Sequence, residues 1–247
     1  MTNYCNKNCS FCLNDFQEKP INNNNLFLDK TIAKSAIVNY SNTFKDKYPL
    51  QVYFSGGEPT LHPNILSLLK FAKINNCKVI LNTNGSFSNN KEELIMEYTD
   101  EIHFGTYEIN NKHAEKVKRM KGTIQCVYSS KSPYVTEEFI KYYIKYGLQV
   151  KIFADFNENV LLYIYFAKIM NNKFGNMVKF RHTGIQENRG LGCNECKNKC
   201  ITLKAGWLFP DGGTTPCPQL YKFKKIYPQT NLEWINYFKV VEEFHSV

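Results

Sequence analysis

The feature that most narrows the folds open to this chain is the alternation of short apolar runs with longer segments of helical period. Strand-length runs at 51–54, 78–82, 101–106, 123–128, 149–154 and 177–181 are separated by helical segments at 29–44, 63–75, 91–98, 111–120, 136–146 and 159–174. Such alternation builds repeated β-α units around a parallel sheet, so the expected class is α/β with a half-wound or open barrel. Pro63 is expected in the first turn of its helix, where a missing N–H is harmless. A β-α unit opens with a strand, yet only residues 1–4 precede the first cysteine. The first strand is therefore expected to be short or missing, or the polypeptide to begin upstream.

At 247 residues and 43% hydrophobic content, the chain can bury one large domain with a small appendage. No run approaches the roughly 20 apolar residues that span a bilayer. The N-terminus lacks the basic-then-apolar layout of a secretory signal. A cytoplasmic protein without a membrane partner is expected. The net charge of +9 comes from scattered lysines, concentrated at 112–121 and 222–225. Solvated helix faces account for most of it; an acidic or phosphate-bearing substrate stays open, and nucleic acid is the less favoured partner. There is no Ser-His-Asp set, phosphate loop or dinucleotide fingerprint.

Of the nine cysteines, three lie at 5–12 and four at 193–217, leaving Cys77 and Cys126 alone. Tight clusters without a secretory signal favour metal over disulfides. The two isolated thiols, in apolar surroundings, are read as buried and inert. After about residue 183 glycine and cysteine become frequent, and 203–210 followed by 212–217 reads as a hairpin turning at Asp211-Gly212. The division expected is 1–183 as barrel and 184–247 as a small metal-bearing module with a C-terminal helix.

In Cys5-Asn-Lys-Asn-Cys9-Ser-Phe-Cys12 the spacing C-x3-C-x2-C supplies three thiolates from one loop. A cubane has four irons, so three protein ligands leave one open to a small molecule. A zinc loop completed by a distant fourth ligand is the alternative. Tyr53-Phe-Ser-Gly-Gly-Glu-Pro-Thr60 lies between a strand and a helix. Its paired glycines admit close approach to a ligand and Glu58 supplies a compensating negative charge, although alone the stretch could be a turn.

Taken together, the two motifs resemble those of the radical S-adenosylmethionine (SAM) superfamily, over residues 2–181. The resemblance implies a partial (β/α)6-type barrel with a SAM-binding [4Fe–4S] cluster on Cys5, Cys9 and Cys12, the catalytic centre. It further implies that Gly56, Gly57, Glu58 and Pro59 receive the amino group of SAM and that Phe11 lies near the adenine. Thr83 and Asn84, in Leu81-Asn-Thr-Asn-Gly85 at a strand end, would touch SAM or substrate, and Ser129 is a weaker candidate. An electron from a donor such as flavodoxin or ferredoxin would reach the cluster and cleave SAM, and the resulting 5′-deoxyadenosyl radical would abstract hydrogen from substrate.

Cys193, Cys196, Cys200 and Cys217 form a complete ligand set for one more cluster. The stretch from Cys200 to Cys217 resembles the opening of SPASM/twitch extensions, which hold auxiliary [4Fe–4S] clusters, in the shorter twitch form. Cys193 and Cys196 depart from that pattern by preceding the hairpin, and tetrahedral structural zinc is the alternative. The expected substrate is a small molecule or a peptide side chain; with no leader-recognition segment before Met1, the reading inclines to the former. Two rivals stand: a zinc-stapled, non-enzymatic basic module binding nucleic acid, and a truncated radical SAM protein without turnover. Arg181 and His182 are candidates to line a substrate pocket. Glu108, after a strand, is open to the mouth of the barrel but reads more readily as a solvated loop carboxylate, His62 as the start of a helix, and Trp207 and Phe209 as hairpin packing.

Overall fold

The computed structural model describes residues 1–7, 9, 12, 27–130, 135–155, 158–181, 206–216 and 225–244. One parallel sheet runs in the order β1 (Gln51–Phe54), β2 (Lys78–Thr83), β3 (Glu101–Gly105), β4 (Thr123–Tyr128), β5 (Val150–Ala154) and β6 (Val178–Arg181). Helix α1 (Lys30–Phe44) precedes it. The crossovers are α2 (Ile65–Ile74), α3 (Glu92–Tyr98), α4 (Asn111–Arg119), α5 (Glu137–Lys145) and α6 (Val160–Phe174). Crossovers of a single hand between sequence neighbours keep the helices on one face and give an open barrel. The α/β partial barrel expected from the sequence is the architecture observed.

Strand alternation separates the two faces of the sheet. On one, the register aligns Phe54, Leu81 and Ile102, and beyond them Phe104, Ile124, Val150 and Val178. These side chains are buried with Leu68, Ile95, Val117, Phe139 and Tyr163 of the helices. Each such burial contributes about 1.5–3 kcal/mol. The opposite, inner face carries Asn82, His103, Gln125 and Lys151, an unusual lining for a parallel sheet, whose strands are commonly apolar on both faces.

Several helix starts follow side-chain caps that satisfy the first free N–H groups. Asp29 caps α1 through Thr31 and Ile32, Asn110 caps α4 through His113, Thr136 caps α5 through Phe139, and Asn159 caps α6 through Leu161. Pro63 departs from expectation: α2 begins only at Ile65, after its N-cap Asn64. Residues Pro59–Leu61 form a separate 3-10 turn, and His62 is extended at φ −64° and ψ 127°, as a residue before proline prefers. His62 is buried, with Nε2 2.8 Å from the Leu28 carbonyl and Nδ1 accepting from Asn64 N–H at 3.0 Å.

Residues 1–4 do not join the sheet. They form one antiparallel bridge, Thr2 to Phe27, and strap across the end of β1, with Gly57 N–H donating to the Thr2 carbonyl at 2.6 Å and Glu58 N–H to the Tyr4 carbonyl at 2.8 Å. Near the C-terminus β7 (Trp207–Leu208) and β8 (Thr214–Thr215) pair antiparallel. Their connection passes through Asp211 and Gly212, whose φ of +82° suits glycine. Trp207 is partly exposed, its N–H bonded to Tyr237 Oη, and Lys225 Nζ lies over Phe209. Helix α7 (Asn231–Phe244) packs on α1, with the Phe238 ring 5.7 Å from Tyr40 and 5.8 Å from Phe44. Among the described residues no helix is long and apolar enough to cross a membrane.

Candidate active site

Parallel strands bring all their C-terminal ends to one edge, where loops from distant parts of the chain can meet. After β1 the chain turns through Gly56, at φ +131°, and Gly57. A Cβ at Gly56 would stand 2.6 Å from the Thr2 carbonyl oxygen, and one at Gly57 would run into the Tyr4 carbonyl. The close approach that the glycine pair permits is thus taken by the protein's own strap. The strap leads directly into Cys5.

Glu58 is 1% exposed. Its Oε1 accepts from Thr60 N–H at 3.1 Å, Thr60 Oγ1 at 2.5 Å and Thr83 Oγ1 at 2.7 Å, while Oε2 accepts from Asn84 N–H at 2.6 Å. These donors compensate the buried carboxylate and lock the end of β1 to the end of β2. The Asn84 amide continues outward, donating to Asn6 Oδ1 at 2.9 Å and lying 3.7 Å from Cys5 Sγ. Gly56, Gly57, Glu58, Thr83, Asn84 and Cys5 are therefore gathered at one place, with Pro59 buried at the start of the 3-10 turn.

Cys9 and Cys12 share a turn in which Cys12 N–H donates to the Cys9 carbonyl at 3.0 Å. Cys5, Cys9 and Cys12 are half-buried free thiols. Tyr107, just beyond β3, places its hydroxyl 3.4 Å from Cys9 Sγ, and Lys7 Nζ lies 5.6 Å from its ring centre. The neighbouring Glu108 is exposed, as expected of a loop carboxylate; no sequence motif marks Tyr107, whose place two residues past the C-terminal end of β3 is its only sequence signal. The donor set suits an iron–sulfur cluster: three thiols on one loop, with an amide and a phenol able to stabilise thiolate charge. Among the described residues no three Cys, His, Asp or Glu side chains converge on a single ion; thiolates bound to separate irons of a cubane need no such convergence.

Phe11, His182, Cys193, Cys196, Cys200 and Cys217 lie outside the described residues. Ser129, after β4, is half-buried. Cys77 and Cys126 are buried as expected, and burial pushes the Cys77 thiol up to about 11 and that of Cys126 higher still. His113 sits beneath the Asn84-Gly85 turn, edge-on to Phe104. Among the described residues its buried Nε2 has no hydrogen-bond partner, and burial, reinforced by the charges of Lys7 and Lys116, lowers its pKa to about 4.

The family model for the radical SAM superfamily matches residues 1–154, which include both motifs and the site just described. The chain belongs to the radical SAM superfamily. Membership implies a [4Fe–4S] cluster and SAM as cofactors, and is consistent with SAM cleavage at that cluster. Among solved structures, the radical SAM fold here resembles Streptococcus suis SuiB bound to SAM, at 15% identity and TM-score 0.66, covering 99% of this chain and 66% of SuiB. SuiB bound to its precursor peptide SuiA aligns at 14% identity and TM-score 0.69, covering 100% of this chain and 65% of SuiB. The chain thus spans just under two thirds of SuiB. Curated protein sequences include no match.

The inner face of this radical SAM barrel holds a polar group that no sequence motif marks. His103, 5% exposed, has Nδ1 3.0 Å from Asn82 Oδ1 and Nε2 2.8 Å from Lys151 Nζ and 3.0 Å from Glu101 Oε2. Lys151 is 9% exposed, with Nζ 3.8 Å from Glu101 Oε2. Burial first, then the charge of Lys151, holds His103 below the usual histidine range against the pull of Glu101. Burial likewise lowers Lys151, with Arg181, Lys179 and Lys78 adding to the effect and Glu101 opposing it. Arg181 occupies the same face, in register with Phe153.

Proposed function

We propose that this protein is a radical SAM enzyme that reductively cleaves SAM at a [4Fe–4S] cluster held by Cys5, Cys9 and Cys12 and abstracts hydrogen from a small-molecule or peptide substrate. The observation that carries the reading is the continuous bonded path from Glu58 through Asn84 to the cysteine loop. When bound, the cluster and SAM supply the electron and the carbon radical; the chain's residues bind, orient and shield them.

Cys5, Cys9 and Cys12 would hold three irons as thiolates, with the Tyr107 hydroxyl and Asn84 amide donating to two of the sulfurs. Glu58, its oxygens occupied by Thr60, Thr83 and Asn84, would act on the SAM amino group as a fixed negative charge behind the backbone of Gly56, Gly57 and Pro59. Phe11 would lie near the adenine. Charge fixed before the ligand arrives needs no reorganisation, which is the basis of electrostatic preorganisation.

The finer parts of the proposal follow the sequence. Residues 1–183 would make up the barrel and 184–247 a twitch-like module, with Cys193, Cys196, Cys200 and Cys217 as the ligands of an auxiliary [4Fe–4S] cluster. Electrons would come from a flavodoxin or ferredoxin in the cytoplasm. Likeness in fold to a protein solved with its precursor peptide supports the peptide alternative for the substrate.

The test is electron paramagnetic resonance of anaerobically reconstituted, dithionite-reduced protein with and without SAM. A reduced-cluster signal that changes on adding SAM, and is missing in Cys5→Ala, is expected. A signal indifferent to SAM would overturn the reading.

A further inference from the structure

The inner face of the sheet breaks a rule of strand pairing. Lys151 of β5 and Lys179 of β6 are direct register partners, and like charges opposite one another on one face are destabilising. Arg181 follows two positions along, on the same side of β6 and one step nearer the C-terminal edge that carries the cysteine loop. Three cations thus line two adjacent strands.

Among the described residues the carboxylate nearest Lys151 is Glu101, already engaged by Lys78 at 2.5 Å. Lys151 reaches only 3.8 Å from it and spends its close contact on His103, at 2.8 Å. Among the described residues no carboxylate pairs with Lys179 or Arg181. Among the described residues, Lys78, Lys151, Lys179 and Arg181 against Glu101 leave this face with an excess of three positive charges. The helix-facing side of the same strands is apolar throughout Val150, Ile152 and Val178, so the cations mark the inner side alone.

A buried lysine and an in-register cation pair with no close carboxylate among the described residues are a local conflict of the kind found at functional sites. A bound oxyanion removes the conflict: it replaces repulsion with charge-assisted hydrogen bonds from an ammonium and a guanidinium. We propose that Lys151, Lys179 and Arg181 form an oxyanion subsite on the inner face of the barrel that seats a carboxylate or phosphate group of the substrate. The inference rests on the reading of the strand C-terminal edge as the SAM site, since the substrate must enter the barrel beneath it. His103, whose Nδ1 lies 3.0 Å from Asn82 Oδ1, positions Lys151 through the 2.8 Å contact of its Nε2 with Lys151 Nζ.

The experiment is a thermal-shift titration of the reconstituted full chain with inorganic phosphate and, separately, with acetate at equal ionic strength, in wild type, Lys151→Met and Arg181→Gln. Saturable stabilisation of wild type by phosphate assigns a phosphate-bearing substrate and by acetate a carboxylate. Loss of the short bond from either cation is expected to weaken that binding about tenfold or more. Arg181 is exposed, so its variant folds whatever becomes of Lys151→Met. No saturable stabilisation of wild type by either anion, or equal stabilisation in both variants, overturns the subsite. The SAM-induced change in the wild-type resonance signal reports on the SAM site separately, so the two readings fail independently.

Discussion

The backbone N–H of Asn84 donates to the Glu58 carboxylate at 2.6 Å, joining the loop after β2 to the loop after β1. The same asparagine's side chain faces Cys5, so the position of the cysteine loop depends on a carboxylate that no thiol touches. Glu58→Gln replaces one acceptor oxygen with a donor amide facing other donors. It is expected to cost about 1–3 kcal/mol of stability and to reduce iron incorporation, checked by thermal melts and iron analysis. Unchanged melting and iron content would mean that the network does not organise the loop.

The glycine pair gives a steric prediction. Gly57→Ala puts a methyl group against the Tyr4 carbonyl, and overpacking of this kind costs about 1–3 kcal/mol. For a chain of this size that is a fall in Tm of roughly 2–12 °C, accompanied by weaker cluster retention as the strap lifts. An unaltered Tm would place the strap elsewhere in solution.

Tyr107 is expected to tune the cluster. Its hydroxyl, 3.4 Å from Cys9 Sγ, would donate to the thiolate and favour the more negative, reduced state. Tyr107→Phe should shift the reduction potential to more negative values, on the order of tens of millivolts for a hydrogen bond worth about 1 kcal/mol. A redox titration followed by paramagnetic resonance measures it; a shift to positive potential would contradict the contact.

His113 carries a pH dependence. The unfolded imidazole binds its proton near pH 6.5 and the folded one near 4. Between these values the unfolded chain holds more protons, so stability falls as pH drops through that window. At about 1.4 kcal/mol per unit, the loss approaches roughly 3 kcal/mol by pH 4. His113→Phe, which keeps the packing on Phe104, should flatten part of the slope in denaturant melts across this range, leaving the same-direction contributions of His62 and His103. An identical slope would show that His113 is solvated.

Much of this architecture is legible in apolar periodicity, because Phe54, Leu81, Ile124, Val150 and Val178 must all face the helices for the sheet to be stable. The cysteine spacing and Gly56-Gly57-Glu58-Pro59 likewise mark their loops without help from tertiary structure. What is hidden is what register creates. Thr83 meets Glu58 only because β1 and β2 pair as they do, and Tyr107 meets Cys9 across 98 residues. Lys151 and Lys179 alternate with apolar residues inside strand-length runs. That alternation, with Asn82, His103 and Gln125 at the matching positions of β2, β3 and β4, is the sequence trace of a polar inner face.

The most direct test of the central claim is formation of 5′-deoxyadenosine from SAM by anaerobically reconstituted, dithionite-reduced protein, with iron and zinc counted in the same samples. Iron-loaded wild type that forms 5′-deoxyadenosine, with none from Cys9→Ala, is the result predicted. Stoichiometric zinc with little iron and no SAM cleavage, or equal cleavage by Cys9→Ala, would contradict the assignment of the cysteine loop as the catalytic centre.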